Sequence, residues 1–208
     1  MATINDLATA VENGKLKLVP NLAKQCIDEG VAPMDTLNAM IGAMDVVGEK
    51  FKNGEIFVPE MLIAAKAMKK GVDVVKPLLA EGGASSAGKM IMGTVHGDLH
   101  DIGKNLVIMM IESAGFEVID LGVDVPVAKF VEEASKPDVN IVGVSALLTT
   151  TMPAMQETVE ALNAMPNRSQ FKIMVGGAPI TQAFADEIGA DCYTTDAASA
   201  AQAAKTLA

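Results

Sequence analysis

The chain contains only two histidines, and both fall in one short segment: Gly93-Thr94-Val95-His96-Gly97-Asp98-Leu99-His100-Asp101-Ile102-Gly103-Lys104-Asn105. Imidazole is the commonest protein metal ligand, and the ring nitrogen that does not bind metal needs an acceptor to orient it. Asp98, two residues before His100, is placed to be that acceptor. A self-contained zinc site needs a set of protein ligands that this segment does not offer. A metal held by His100 therefore has to arrive already chelated, as in a macrocycle. A plainer reading uses the same residues: a solvated loop histidine, with Asp98 or Asp101 capping the helix that follows.

The surrounding pattern explains why such a loop would be a site. From residue 89 onward, short apolar runs alternate with helical stretches. Strands are predicted at 89–95, 116–121, 139–145, 171–175 and 191–193, and helices at 102–114, 127–135, 152–165, 180–188 and 197–207. This alternation predicts a doubly wound, five-stranded parallel sheet of flavodoxin-like, Rossmann type. The runs are continuous rather than alternating, as expected of strands covered on both faces. Ligands of such sheets sit at the carboxyl ends of the strands near the topological switch point. Functional residues are thus expected just after the first, third and fourth strands.

The first part of the chain reads differently. Apolar residues recur at helical spacing, as in Leu37, Met40, Ile41, Met44, Val47 and again from Met61 through Leu79. Gly14, Gly30 with Pro33, and Asn53-Gly54 punctuate it, and Pro59 marks a helix start. Four helices are predicted, at 3–12, 16–29, 34–52 and 58–80, with Pro77 kinking or ending the last early. Short connections favour an antiparallel four-helix bundle. The domain reading is a helical bundle over 1–81, a Gly/Ser linker over 82–88 and an α/β domain over 89–208.

Composition narrows the function classes. A formal net charge of −10 with no basic stripe argues against nucleic acid. No run approaches a membrane span, and the start lacks the features of a signal peptide, so a cytoplasmic protein is expected. Cys26 and Cys192 match no metal or disulfide spacing and read as small hydrophobes in a reducing compartment.

Asp98-x-His100-x-x-Gly103 resembles the D-x-H-x-x-G signature of cobalamin-binding domains. Ser145-x-Leu147 follows after 41 intervening residues, and Gly176-Gly177 after 28 more, as in the full family pattern. In that family the cofactor's own dimethylbenzimidazole leaves the cobalt, a histidine replaces it, and the nucleotide tail inserts between sheet and helices. The resemblance implies that His100 is the axial cobalt ligand and that Asp98 hydrogen-bonds its other ring nitrogen. Thr151 stands where methionine synthase has a serine that completes a proton relay. Gly97, Asp101, Ile102, Gly103, Ser145, Leu147, Thr149, Gly176 and Gly177 would line the cofactor's place, and Asp196 and Ala197 would close the turn by the tail.

The segment from Val47 to Glu60 is similar to the cap of methionine synthase and of corrinoid proteins in methylamine, methanol and aryl-ether demethylation. By that resemblance Phe57, with Met61 and Leu62, would shield the upper face of the corrin. The implied function is a non-catalytic, cobalamin-bearing methyl carrier of anaerobic one-carbon metabolism. It would serve a substrate-specific methyltransferase and a second one acting on coenzyme M or tetrahydrofolate, with a reductive activation protein as a further partner. Overall likeness points to amine or betaine donors. The alternative is a cobalamin-dependent sensor or regulator. Such proteins usually carry a DNA-binding domain ahead of the bundle, which this acidic chain does not suggest. Mutase small subunits lack the bundle, and a nucleotide-binding flavodoxin-like protein would want a phosphate loop of different glycine spacing.

Overall fold

The computed structural model describes residues 3–81 and 87–208, with the side chains of residues 80 and 81 left aside. Most of the linker expected at 82–88 lies outside the described residues. The described residues divide into two compact units, one on either side of that stretch.

The N-terminal unit is built from α1 (Ile4–Glu12), α2 (Val19–Asp28), α3 (Pro33–Lys52) and α4 (Val58–Glu81). Local chemistry sets the starts. Thr3 and Asp6 form a capping box: the Thr3 hydroxyl accepts from the Asp6 N–H at 3.1 Å, and the Asp6 carboxylate accepts from the Thr3 N–H at 2.9 Å. Pro33 opens α3, and prolines also stand at the starts of α2 and α4. Helix α1 neighbours α2 and α3, and α4 neighbours the same two, so the four close a ring. Leu7, Val11, Met40, Val47, Met61 and Met68 fill its interior. Pro77 does not end α4, which runs on to Glu81. It lies near the C-terminus, where one missing N–H removes a single rung of an otherwise long ladder.

The second unit carries β1 (Lys89–Val95), β2 (Glu117–Val125), β3 (Ile141–Ser145), β4 (Lys172–Gly176) and β5 (Cys192–Tyr193), all parallel, in the order β2-β1-β3-β4-β5. Helices α5 (Ile102–Ser113), α6 (Val127–Ala134), α7 (Met152–Asn163), α8 (Gln182–Ile188) and α9 (Ala197–Leu207) connect and follow the strands. Strands β1 and β3 are buried almost end to end, and Phe130, Phe171, Met155 and Leu162 seal the core around them. Their side-by-side placement puts the switch point at the carboxyl ends of β1 and β3.

Sequence and structure part company at several element boundaries, among them the start of α2, at Val19 rather than residue 16, and of β3, at Ile141 rather than residue 139. Edge strand β2 runs to Val125 rather than stopping at residue 121, paired to β1 through two register shifts. The ladder tolerates its polar positions because they point away from the core. Helix α8 starts at Gln182, since the Thr181 hydroxyl caps it by accepting from the Phe184 N–H at 3.2 Å. Two single turns of 3-10 helix, Thr149–Thr151 and Arg168–Gln170, interrupt expected loops. No helix among the described residues is long and apolar enough to cross a membrane.

Candidate functional site

The loop from β1 to α5 begins where Val95, the last buried residue of β1, gives way to His96. It turns back on itself, with the Asp98 N–H donating to the Val95 carbonyl at 3.1 Å. The buried Thr94 hydroxyl pins its far side by donating to the His100 carbonyl at 2.9 Å.

Asp98 lies at the centre and is 0% exposed. One carboxylate oxygen, Oδ1, accepts from the His100 N–H at 3.0 Å and meets His100 Nδ1 at 2.9 Å. The other, Oδ2, accepts from the Leu147 N–H at 2.7 Å and the Thr151 hydroxyl at 2.9 Å. Thr151 also donates to the Leu148 carbonyl at 3.0 Å. Burial alone would raise the Asp98 pKa. The N–H groups of Leu147 and His100, the imidazole and the Thr151 hydroxyl together overcome it and hold the carboxyl well below the usual carboxylate range. An ionised acceptor at this position keeps the proton of a neutral His100 on Nδ1. It leaves the Nε2 lone pair free, with no protein partner among the described residues.

The other expected residues fall at the same sheet end. Ser145 pairs with Thr94 on one side and Gly176 on the other. Gly177 has φ +133, and a Cβ there would lie 1.7 Å from the Ala146 carbonyl oxygen, so only glycine fits. Gly97 and Asp101 in the loop, Gly103 in the first turn of α5 and Thr149 at the start of its 3-10 turn are all exposed. Asp101 accepts from the Asn105 side chain at 3.1 Å, at the start of α5. Leu99 and Ile102 are 72% and 86% exposed, and Val123, Leu147 and Leu148 are exposed with them on the ends of β1, β2 and β3. In the bundle Phe57 is 68% exposed, Leu62 is half-buried and Met61 is fully buried. Asp196 caps α9: its carboxylate accepts from the Ser199 N–H at 2.8 Å and from the hydroxyls of Ser199 and Thr195. Ala197 is buried behind it.

Sequence reasoning missed a set of contacts from β2. Asp124 Oδ1 accepts from the Gly97 N–H at 2.7 Å and lies 2.7 Å from His96 Nδ1, and the Asp124 N–H donates to the Asp98 carbonyl at 2.9 Å. The Gly97 N–H, aimed directly at it, does most to hold the Asp124 carboxyl below its ordinary range. On the other side of His100, the buried Lys104 ammonium meets Asp120 at 2.6 Å and the Asn105 side chain at 2.8 Å.

These residues fit a large chelated metal. Among the described residues no group of three or more His, Cys, Asp and Glu side chains could hold a bare ion. One imidazole nitrogen, oriented and free, is what an axial position of a preformed chelate asks for. The exposed apolar side chains around it are suited to a macrocycle's face.

The comparisons with known proteins agree. Two family profiles, each described as a B12 binding domain, match residues 88–204 and 3–76. The chain is 45% identical over 199 residues to dimethylamine corrinoid protein 1 of Methanosarcina acetivorans, covering 95% of this chain and 88% of the relative. It superposes on a cobalamin-binding protein of Desulfitobacterium hafniense with a TM-score of 0.84 and 32% identity, each chain covered in full. It also superposes on a chain of the methanol:cobalamin methyltransferase complex of Methanosarcina barkeri. That match has a TM-score of 0.84 and 29% identity and covers 98% of this chain and 78% of that one. The chain therefore belongs to the family of B12-binding corrinoid proteins, and its cofactor is a cobalamin or a related corrinoid.

Proposed function

We propose that the chain is a methyl carrier. A substrate-specific methyltransferase would load it, and a second methyltransferase acting on coenzyme M or a tetrahydrofolate would unload it. A bound corrinoid supplies the cobalt that takes and releases the methyl group. The chain's own residues supply ligation and gating. His100 presents Nε2 to the metal, and Asp98 fixes the tautomer and ring orientation that make this possible. Asp98, its carboxyl held ionised by its four donors, would keep orienting the ring when His100 is off the metal. Thr151 completes the relay on the far side of that carboxylate. The cap role expected of Phe57 and Leu62 fits side chains left open to a ligand, and exclusion of water is the chemistry it would supply. Met61, expected beside them, is instead buried in the bundle interior and takes no part in it. The relatives, a dimethylamine corrinoid protein and a methanol:cobalamin methyltransferase complex among them, favour a simple methylated amine or alcohol as donor, an amine first. A reductive activation protein would restore cofactor that had been oxidised.

The observation that carries the reading is the Asp98–His100 contact with Nε2 left free. The test is anaerobic reconstitution with hydroxocobalamin, beside His100→Ala. Stoichiometric binding with a base-off, histidine-ligated visible spectrum, lost in the variant, is expected. Identical spectra for the two proteins would overturn it. Loaded protein, first reduced to the cob(I)alamin state with titanium(III) citrate and then mixed with dimethylamine and a dimethylamine-specific methyltransferase, should gain the methylated spectrum, and a spectrum that stays that of cob(I)alamin with every donor tried would remove the carrier role.

A further inference from the structure

Asp124 occupies a backbone position that favours glycine. Its φ is +51, the only positive value among the described non-glycine residues, and Gly122 two residues earlier has φ +90. Glycine is the usual residue in left-handed backbone, with Asp and Asn the exceptions because their short side chains can bond locally. The aspartate is explained by what its carboxylate does: Oδ1 reaches back to the Gly97 N–H and to His96.

We propose that Asp124 is a positioning residue for the His100 loop, acting through Gly97. The loop has three anchors. Thr94 holds it from within β1, and Leu147 and Thr151 hold Asp98 from the β3 side. Asp124 is the anchor from the β2 side, and its contact lies one residue from Asp98, which orients the imidazole. Without the carboxylate the Asp124 N–H still reaches the Asp98 carbonyl, but Gly97, itself at φ +80, is free to swing. The imidazole then spends less time aimed at the metal. The inference rests on His100 being the cobalt ligand.

The decisive variant is Asp124→Gly, which relieves the backbone strain while removing the carboxylate. Asp124→Asn, which tolerates left-handed backbone and keeps an uncharged acceptor, is its companion. Two readouts are taken at matched thermal midpoints: hydrogen exchange of the Gly97 amide in cofactor-free protein, and spectrophotometric titration with hydroxocobalamin. Loss of a charge-assisted bond should speed Gly97 exchange about tenfold in the glycine variant, with the asparagine variant between it and wild type. Affinity for hydroxocobalamin should fall about tenfold, as when an orienting partner of a metal ligand is removed. The histidine-ligated fraction should fall with it. Wild-type exchange and affinity in both variants would overturn the proposal, as would losses that merely track a lowered melting temperature. If the glycine variant does not fold, the asparagine variant decides by the same criteria. If wild-type protein gives no histidine-ligated spectrum, the reading of His100 fails. Gly97 exchange in the cofactor-free protein still decides whether Asp124 holds the loop.

Discussion

Replacing Asp98 by asparagine should weaken corrinoid binding while leaving the protein folded. The side chain keeps its shape, but one acceptor becomes a two-proton donor facing donors. If the amide oxygen stays toward Leu147 and Thr151, the NH2 group faces the His100 N–H and ring, now 3.0 and 2.9 Å from an acceptor. The ring is then driven to the tautomer with its proton on Nε2, which has no lone pair for a metal. If the amide is reversed, His100 keeps its acceptor, but the Leu147 N–H, 2.7 Å away, faces an NH2 group. Either arrangement strands one main-chain N–H, at about 1–3 kcal/mol. For a domain of this size that lowers the melting temperature by on the order of 2–12 °C. Loss of the orienting carboxylate costs a metal ligand about 10- to 100-fold in affinity. The assay is titration of wild type and Asp98→Asn with hydroxocobalamin, following the histidine-ligated band, beside a thermal melt of the cofactor-free proteins. Equal affinity and an unchanged spectrum in the variant would refute the idea that Asp98 sets the tautomer.

Thr151→Ser should bind hydroxocobalamin within about twofold of wild type, whereas Thr151→Val, which takes away the 2.9 Å donor to Asp98, should lose about tenfold in the same titration. Gly177→Ala should destabilise by roughly 2–5 kcal/mol in urea denaturation, combining left-handed strain with a Cβ driven against the Ala146 carbonyl. Asp120→Ala should cost about 3 kcal/mol or more because it leaves the buried Lys104 ammonium without its carboxylate, whereas Lys104→Met, which removes the buried charge itself, should cost less than about 1 kcal/mol. Asp196→Ala should cost about 1 kcal/mol at neutral pH through the lost cap of α9. Burial pushes the Asp196 carboxyl up, but Ser199 and Thr195 bring it below the ordinary aspartate value of 3.8. A lowered native pKa means stability that is present above that value and lost as pH falls through the native pKa. The gap between wild type and Asp196→Ala, read from urea midpoints, should therefore narrow below about pH 3.8.

The residues legible in the sequence are those whose side chains act at the end of a buried strand. Asp98, His100, Ser145 and Gly177 each stand just past an apolar run, and the runs of β1, β3 and β4 are unmistakable because both their faces are covered. What escaped belongs to β2 and to main-chain atoms. As the edge strand, β2 carries Asp120, Gly122 and Asp124 at exposed or half-exposed positions, so its apolar run breaks off while its ladder continues. The alternation of Asp120, Gly122 and Asp124, resuming at the buried Val125, was the available signal. Leu147 contributes an N–H to the site, and no residue type advertises a main-chain donor. Three consecutive threonines read as loop because β-branched side chains disfavour helix, yet the Thr151 hydroxyl on Asp98 and the Thr151 N–H on the Leu148 carbonyl close a single tight turn. Asp196 was read as part of the cofactor's closing turn. Its carboxylate is taken up by the cap of α9, so any contact it makes with a cofactor would come from the turn's backbone.

The two ring nitrogens of His100 live in opposite environments, and that difference ties the fold to its function. On the Nδ1 side every partner is polar and fixed, with donors drawn from the loops after β1 and β3 onto one buried carboxylate. That carboxylate has its partners only when β1 and β3 lie side by side, and the Asp124 N–H from β2 holds the Asp98 main-chain carbonyl, so the oriented imidazole is a property of the folded sheet and not of the loop. On the Nε2 side the neighbours along the chain and the adjoining strand ends are apolar and exposed: Leu99, Ile102, Val123, Leu147 and Leu148. Exposed apolar side chains gathered at one sheet end suit something that covers them. A flat chelate would meet both demands at once. It would bury those side chains and would be held by the Nε2 that has no protein partner among the described residues. The energy for holding that nitrogen still comes from the carboxylate network on the far side of the ring. Ligation can then be made and broken at Nε2 without the network being rebuilt each time, which is the behaviour a carrier loaded by one partner and unloaded by another requires.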